Sequence, residues 1–183
     1  MDRETAHAFA REHALKETTV RHLISVEGVM RALARRFGED EDLWGLTGLF
    51  HDLDQDQTGG GEDTANHARL AAGWLREADV DERIVNGVLA HAYPEYRTDR
   101  MSQAVVHADA VAGLLVAAAL VRPEKATGMK VSSVKKKLKE KAFAPGVNRE
   151  EVTDVEERLG LPLEEFLAIS IEGLQQVASE IGL

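Results

Sequence analysis

The chain has no cysteine among its 183 residues. This absence excludes disulfide bonds, thiolate metal sites and a cysteine nucleophile. The first residues of the sequence lack both a cationic start and an apolar stretch, so they do not resemble a signal peptide. The longest weakly polar run, residues 110–121, is too short to cross a bilayer. These features together predict a cytoplasmic protein without a membrane partner.

Positive charge is also scarce. Lysine and arginine number 22 against 32 aspartate and glutamate residues, which gives a formal net charge of −10. A protein that binds a nucleic acid polymer needs a broad positive surface, so no such partner is expected. A small anionic substrate remains compatible with this charge, because one local cluster of cations is enough to bind it. The sequence does not indicate an oligomeric state.

Alternating strand patterns are few, and no strand–helix repeat is visible. Hydrophobic residues make up 44% of the chain and charged residues 30%, which is typical of a folded domain. We therefore predict an all-α fold. Helical spacing of apolar residues and turn signals place the helices at residues 3–15, 18–37, 40–51, 64–78, 81–91, 101–121, 131–142, 149–159 and 162–181.

Two further features divide the chain. Residues 54–63 form a predicted loop whose three consecutive glycines, 59–61, indicate a flexible turn that could act as a lid. Beyond Pro123 the sequence becomes more strongly charged. We predict a helical metal-binding domain over residues 1–122 and a C-terminal helical extension over residues 123–183, packed on the same domain.

Histidines and aspartates at core-facing positions are the main functional signal. His51 and Asp52 end an apolar segment, and Asp109 lies within the inner stripe of a long helix. Such groups are costly to bury unless a partner compensates them, and a divalent metal suits both side chains. Any one of them could be a hydrogen-bonded core residue. A set in core-facing positions on five helices favours a metal centre, and it comprises His22, His51, Asp52, His67, His91 and Asp109.

The order of these residues resembles the HD superfamily of metal-dependent phosphohydrolases. The resemblance covers residues 18–121, and residues 131–150 look like the tail of a group of short bacterial HD proteins that are predicted hydrolases. It implies an HD-domain-like helical bundle. It also implies that one ion is held by His22, His51, Asp52 and Asp109, and a second by His67 and His91 with Asp52 bridging. The ligand types suit Mn, Fe, Co, Ni, Zn or Mg without selecting one.

The reaction implied by this resemblance is hydrolysis of a small phosphoester, a monoester or a diester, through a metal-bound hydroxide. Nucleotides are among the candidate substrates. Asp52 and Asp54 are the candidate catalytic carboxylates. Asp54 or Asp56 could serve as an outer-shell acid or base, but the loop composition favours solvated carboxylates for both. Four cations are candidate contacts for a substrate phosphate: Arg21, Arg97, Lys135 and Lys137. The two lysines could instead belong to the solvent-exposed face of a helix. We expect His7 and His13 at the surface and His107 outside the site.

Two other functions remain open. The same ligand order resembles myo-inositol oxygenase and phosphonate-cleaving relatives, which use a mixed-valent di-iron centre on this fold. The lysines of residues 130–141 favour hydrolysis over this alternative, because a neutral substrate has little use for cations. A non-catalytic ligand sensor is the third possibility, but no ligand is missing from the set.

Overall fold

Ten α-helices and two 3₁₀ segments make up the regular structure of the computed structural model, which describes residues 1–59, 63 and 65–183. No strand occurs among these residues, so the all-α prediction is confirmed. The α-helices are α1 (Arg3–His13), α2 (Glu17–Phe37), α3 (Glu41–Phe50), α4 (Arg69–Glu77), α5 (Glu82–Ala92), α6 (Arg100–Leu120), α7 (Val131–Lys139), α8 (Arg149–Thr153), α9 (Val155–Leu159) and α10 (Leu163–Val177). The 3₁₀ segments are Pro94–Tyr96 and Ala178–Ile181.

Several helix boundaries differ from the prediction. The helix expected over 64–78 begins only at Arg69, because Ala68 adopts a left-handed conformation with φ of 63° that a helix cannot continue. The helix expected over 149–159 is divided at Asp154. Of the glycines predicted to form a lid, Gly60 and Gly61 lie outside the described residues.

The core is organised around α2 and α6, each 21 residues long. Helix α2 packs against α3, α6 and α10, and α5 packs against both α3 and α6. Helix α6 is long and apolar enough, by length and composition, to cross a membrane, but 67% of its apolar window is buried inside the protein. Burial of this extent is typical of the central helix of a folded core.

The residues after 122 pack closely on the preceding ones. Helix α10 meets α2 backbone to backbone at Gly28 and Gly173, where a Cβ added to Gly28 would lie 2.5 Å from the Gly173 carbonyl oxygen. No side chain fits in so short a gap, so both positions require glycine. The boundary at residue 122 itself stays a prediction.

A buried carboxylate ties α1 to α2. The Glu27 side chain is fully buried and lies 2.7 Å from both Arg3 Nε and His7 Nε2, and 3.0 Å from Arg31 Nε. Burial opposes its charge, but hydrogen bonds from His7 and Arg3 outweigh that effect and lower the pKa of Glu27 to about 2. His7 is therefore not the surface residue that we predicted.

The surface prediction for His13 is also wrong. Its ring packs 4.6 Å from the Trp74 ring and 4.2 Å from the Phe9 ring, and its Nδ1 is 2.9 Å from the Phe9 carbonyl oxygen. The sequence pattern did not reveal the contact with Trp74, because that residue lies on a different helix.

The glycine contact generates a first prediction. Gly173→Ala should destabilise the protein by about 1–3 kcal/mol, because the added methyl group forces α10 away from α2. Gly73→Ala is the matched control, since nothing lies within 4 Å of a Cβ at that helical position. The control should be neutral or stabilising by up to about 1 kcal/mol. Equal denaturant midpoints for the two variants would contradict the backbone contact.

Glu27 generates a second prediction, on pH. Its pKa is about 2 in the folded protein against an ordinary 4.5, so its stabilisation is complete above pH 4.5 and is lost as the pH falls towards 2. Glu27→Gln should cost about 3 kcal/mol at neutral pH, and this cost should shrink as the pH falls below 4.5. Urea unfolding from pH 7 to pH 3.5 measures it.

Glu172→Gln is the control for this experiment, because its carboxylate is 63% exposed and lies 3.8 Å from Arg35. Its removal should change the free energy of unfolding by less than about 1 kcal/mol at every pH. A cost for Glu27→Gln that does not vary with pH would contradict the assigned ion pairs.

Candidate metal centre

Six side chains converge from the middle of the core. His22 projects from α2, His51 caps the end of α3 and Asp52 follows it. His67 immediately precedes Ala68 at the start of α4, His91 lies in the last turn of α5, and Asp109 lies midway along α6. The structure therefore brings together all the ligands that the sequence predicted: His22, His51, Asp52, His67, His91 and Asp109.

The first group of donor atoms consists of His22, His51 and Asp109, whose ligand atoms lie within 4.8 Å of one another. His22 Nε2 is 2.9 Å from Asp109 Oδ1 and 3.3 Å from His51 Nε2, and His51 Nε2 is 3.6 Å from Asp109 Oδ1. Two donors about 2.1 Å from one ion are about 3.0–3.4 Å apart at ordinary coordination angles. These spacings suit a shared divalent ion.

The second group forms around Asp52, and His51, Asp52 and His91 also have ligand atoms within 4.8 Å of one another. Asp52 Oδ1 is 3.3 Å from His67 Nε2 and 3.4 Å from His91 Nε2, whereas Oδ2 is 3.9 Å from His51 Nε2. The two oxygens of Asp52 thus face separate sets of nitrogen donors. This arrangement suits a bridging carboxylate.

Two buried atoms in this centre lack the partners that burial normally requires. Asp52 Oδ1 and His91 Nδ1 have no hydrogen-bond partner among the described residues. Burial raises the pKa of Asp52, but its electrostatic interactions with His51 and His91 outweigh that effect and hold the pKa below its ordinary value. The pKa of Asp109 is also lowered, because its interactions with His22 and His51 outweigh burial. A buried carboxylate with an unsatisfied oxygen, as in Asp52, fits a bound cation.

Backbone and carboxylate acceptors orient two of the imidazoles. His51 Nδ1 is 2.8 Å from the Gly48 carbonyl oxygen, and His67 Nδ1 is 3.0 Å from Asp54 Oδ1. When each Nδ1–H donates to its acceptor, Nε2 is left unprotonated and turned towards Asp52 or Asp109. The hydrogen bond to Asp54 raises the pKa of His67 despite its burial. Both rings are thus set to act as ligands through Nε2.

Asp54 positions the site rather than contacting the solvent. Its side chain is fully buried, and its Oδ2 accepts a hydrogen bond from the Ala71 amide at 3.1 Å. This contact caps the start of α4, where the N-cap residue Ala68 provides no side-chain acceptor. The alternative of a solvated loop carboxylate is therefore wrong for Asp54. The candidate catalytic role of Asp54 stays a prediction, and the structure shows its contact with His67.

Asp56 is likewise bound within the structure. Its carboxylate accepts hydrogen bonds from the Lys16 amide at 2.9 Å and from Thr19 Oγ1 at 3.0 Å, at the start of α2. Its side chain is only 3% exposed. The interpretation of Asp56 as a solvated loop carboxylate is therefore wrong as well. Asp56 fastens the loop after Asp52 to the helix that carries His22.

A cavity of about 500 Å³ opens beside the candidate ligands. Part of its wall comes from the C-terminal extension, and Gln55 adds an amide from the loop. Burial, and then the charge of Asp109, raises the pKa of Glu151. Sequence analysis missed this wall, whose residues are Ala144, Pro145, Gly146, Val147, Asn148 and Glu151.

Arg149 holds this wall in place. Its guanidinium donates to the carbonyl oxygens of Leu138 and Glu140, each at 3.0 Å, and of Val147 at 3.2 Å. It also contacts the carbonyl oxygens of Ala144 and Phe143. One cation therefore satisfies the backbone of a segment that has no regular structure of its own.

The four cations predicted to contact a substrate phosphate do not line this cavity. Arg21 is 3.3 Å from Glu17, and Arg97 donates to the carbonyl oxygens of Ala90 and His91 at the end of α5. Lys135 pairs with Glu164, and Lys137 pairs with Glu140 at 3.0 Å. Their side chains are used in helix capping and in ion pairs elsewhere, so their prediction as phosphate contacts in the cavity is not supported.

His107 was expected outside the site, and it does not line the cavity. Its Nδ1 lies 2.5 Å from the Glu151 carbonyl oxygen, and burial lowers the pKa of His107. The contact fixes α8 to α6, and it thereby fixes the position from which the Glu151 side chain reaches the cavity.

Asp54 provides the prediction for this site. Asp54→Asn should weaken ion binding at His67 by about 10- to 100-fold. The Asp54 carboxylate accepts hydrogen bonds from His67 and from the Ala71 amide, whereas an asparagine side chain has a single acceptor oxygen. Competition with a chromophoric chelator measures the affinity. Asp63→Asn removes an exposed carboxylate from the same loop and should leave the affinity unchanged. Wild-type affinity in the Asp54 variant would show that its carboxylate does not support a ligand.

Comparison with known proteins agrees with this geometry. The sequence profile of the HD domain matches residues 19–121, which is more than half of the chain and includes all six candidate ligands. No curated protein and no solved structure matches the chain. The chain therefore belongs to the HD domain family, a superfamily of metal-dependent hydrolases.

Proposed function

We propose that the protein hydrolyses a small phosphoester with two divalent ions, held by the six residues of the candidate centre. The observation that carries this proposal is the placement of Asp52, whose Oδ1 faces His67 and His91 while its Oδ2 faces His51. His22, His51 and Asp109 complete one set, and His67 and His91 complete the other. A pair of ions so held lowers the pKa of a bound water and neutralises charge on a phosphoryl group.

The cavity wall provides the remaining chemistry. Phosphoester cleavage leaves an alkoxide that needs a proton, and Glu151 is the described cavity carboxyl that does not belong to the ligand set. Because burial raises the pKa of Glu151, this carboxyl keeps its proton to a higher pH than an ordinary glutamate does. We assign Glu151 to donate that proton to the leaving oxygen. Asn148 and Gln55 offer amide groups for hydrogen bonds to the substrate.

The lining also bears on the class of substrate. No lysine or arginine lines the cavity among the described residues, so the bound ions are the cations available to a phosphate there. A single phosphate suits this site better than a polyphosphate. We further propose a small molecule as the partner and the cytoplasm as the compartment, both of which rest on the sequence.

An oxygenase with a mixed-valent iron pair is the second candidate. One observation favours it: the lysines that supported hydrolysis lie away from the cavity, whose wall would accept an uncharged substrate. The histidine and carboxylate donors also suit iron. The two reactions differ in their need for oxygen, which makes them separable.

The experiment supplies Mn²⁺, Co²⁺ or Ni²⁺ and measures phosphate release from phosphomonoesters and nucleoside monophosphates with and without oxygen. We expect equal turnover in both atmospheres and about two ions per chain. His67→Ala should lower the stoichiometry to about one ion, and Asp109→Asn should abolish turnover, because each removes a ligand. Asp63→Asn should change neither. Two irons per chain, turnover that consumes oxygen and no phosphate release would instead establish the oxygenase.

A further inference from the structure

An apolar groove of about 290 Å³ lies next to the metal cavity. Thr18 and Arg21 of α2 form one edge of the groove. The described residues that give it its apolar character are Val116, Ala117 and Leu120 of α6 together with Ile181 and Leu183. Leu120, the last residue of α6, is 66% exposed and leaves apolar surface open to the groove.

The groove adjoins the metal cavity, because His22 and Gly113 line both. Gly113 follows Asp109 by one helical turn, and Val116, Ala117 and Leu120 continue along the same face of α6. At about 1.5 Å per residue, this face extends roughly 16 Å from Asp109 to Leu120. The same face of α6 therefore carries both the candidate metal ligand Asp109 and the apolar residues of the groove.

Gly113 lies where the metal cavity and the groove adjoin. A Cβ at this position would meet only Val147 Cγ2, at an ordinary 3.5 Å, so packing does not require glycine here. Glycine within a helix costs about 0.5–1 kcal/mol relative to alanine. The absence of a side chain at Gly113 leaves space where the two cavities adjoin.

We propose that the groove binds an apolar part of the substrate, so that the substrate is a phosphomonoester of an alcohol with an aliphatic or aromatic group. This inference rests on the proposed phosphoester hydrolysis. The ions hold the single phosphate, and the apolar group passes Gly113 and lies along Val116, Ala117 and Leu120. The absence of lysine and arginine from the described lining of the metal cavity disfavours a substrate with further phosphates there.

Alkylphosphonates test the proposal without turnover, because their carbon–phosphorus bond is not a phosphoester. Calorimetry with the manganese-loaded protein gives the dissociation constants of methylphosphonate and octylphosphonate. Each methylene that is fully buried should tighten binding about fourfold, so the octyl compound should bind at least about 100-fold more tightly.

Two neighbouring residues provide matched variants. Leu120 lines the groove and Val121 does not, although they are 66% and 65% exposed. Leu120→Ser should weaken octylphosphonate binding about three- to tenfold and leave methylphosphonate binding unchanged. Val121→Ser should change neither. Because both side chains are exposed, neither substitution should disturb the fold.

The outcomes separate this inference from the proposed function. Equal affinity for the two phosphonates, or equal losses in the two variants, would overturn the groove as a substrate site. So would octylphosphonate binding that persists without metal, or self-association in sedimentation that Leu120→Ser abolishes, since the face would then join two copies. If neither phosphonate responds to metal, the proposed phosphoester site itself fails.

Discussion

The buried carboxylate of Asp52 is the constraint on which the rest of the structure depends. Its oxygens sit among imidazoles in the centre of the core, and one of them has no hydrogen-bond partner among the described residues. A charge so placed is tolerated only when cations surround it. The surrounding donors come from α2, α3, α5, α6 and the turn before α4. These helices must therefore pack so that their donor atoms surround Asp52, and the same packing forms the candidate metal centre.

The supporting contacts give this centre its rigidity. His51 is held by the Gly48 carbonyl, and His67 is held by Asp54, which is fixed in turn by the start of α4. Arg97 binds the carbonyl oxygens at the end of α5, next to the His91 side chain. Most of the ordering entropy is thus lost when the chain folds rather than when an ion binds, which favours tight binding.

Much of the fold and of the candidate ligand set could be predicted, because both produce local patterns in the sequence. Helical spacing revealed the core faces, and His51, Asp52 and Asp109 stood out as polar residues on those faces. Asp54 was misread because its partner, the Ala71 amide, is brought to it only by the left-handed turn at Ala68. The cavity wall was missed for a similar reason, since it is ordered by carbonyl contacts of Arg149 that leave no periodic signal.

The two sides of the cavity are encoded in separate stretches of the chain. All candidate ligands lie within residues 19–121, whereas the facing wall lies at residues 144–151 and part of the groove at Ile181 and Leu183. Under the proposed function, substitutions in the tail would alter which molecule is accepted and would leave the candidate metal ligands intact. Such a protein would acquire a new preference through mutations in one region, without passing through an inactive intermediate.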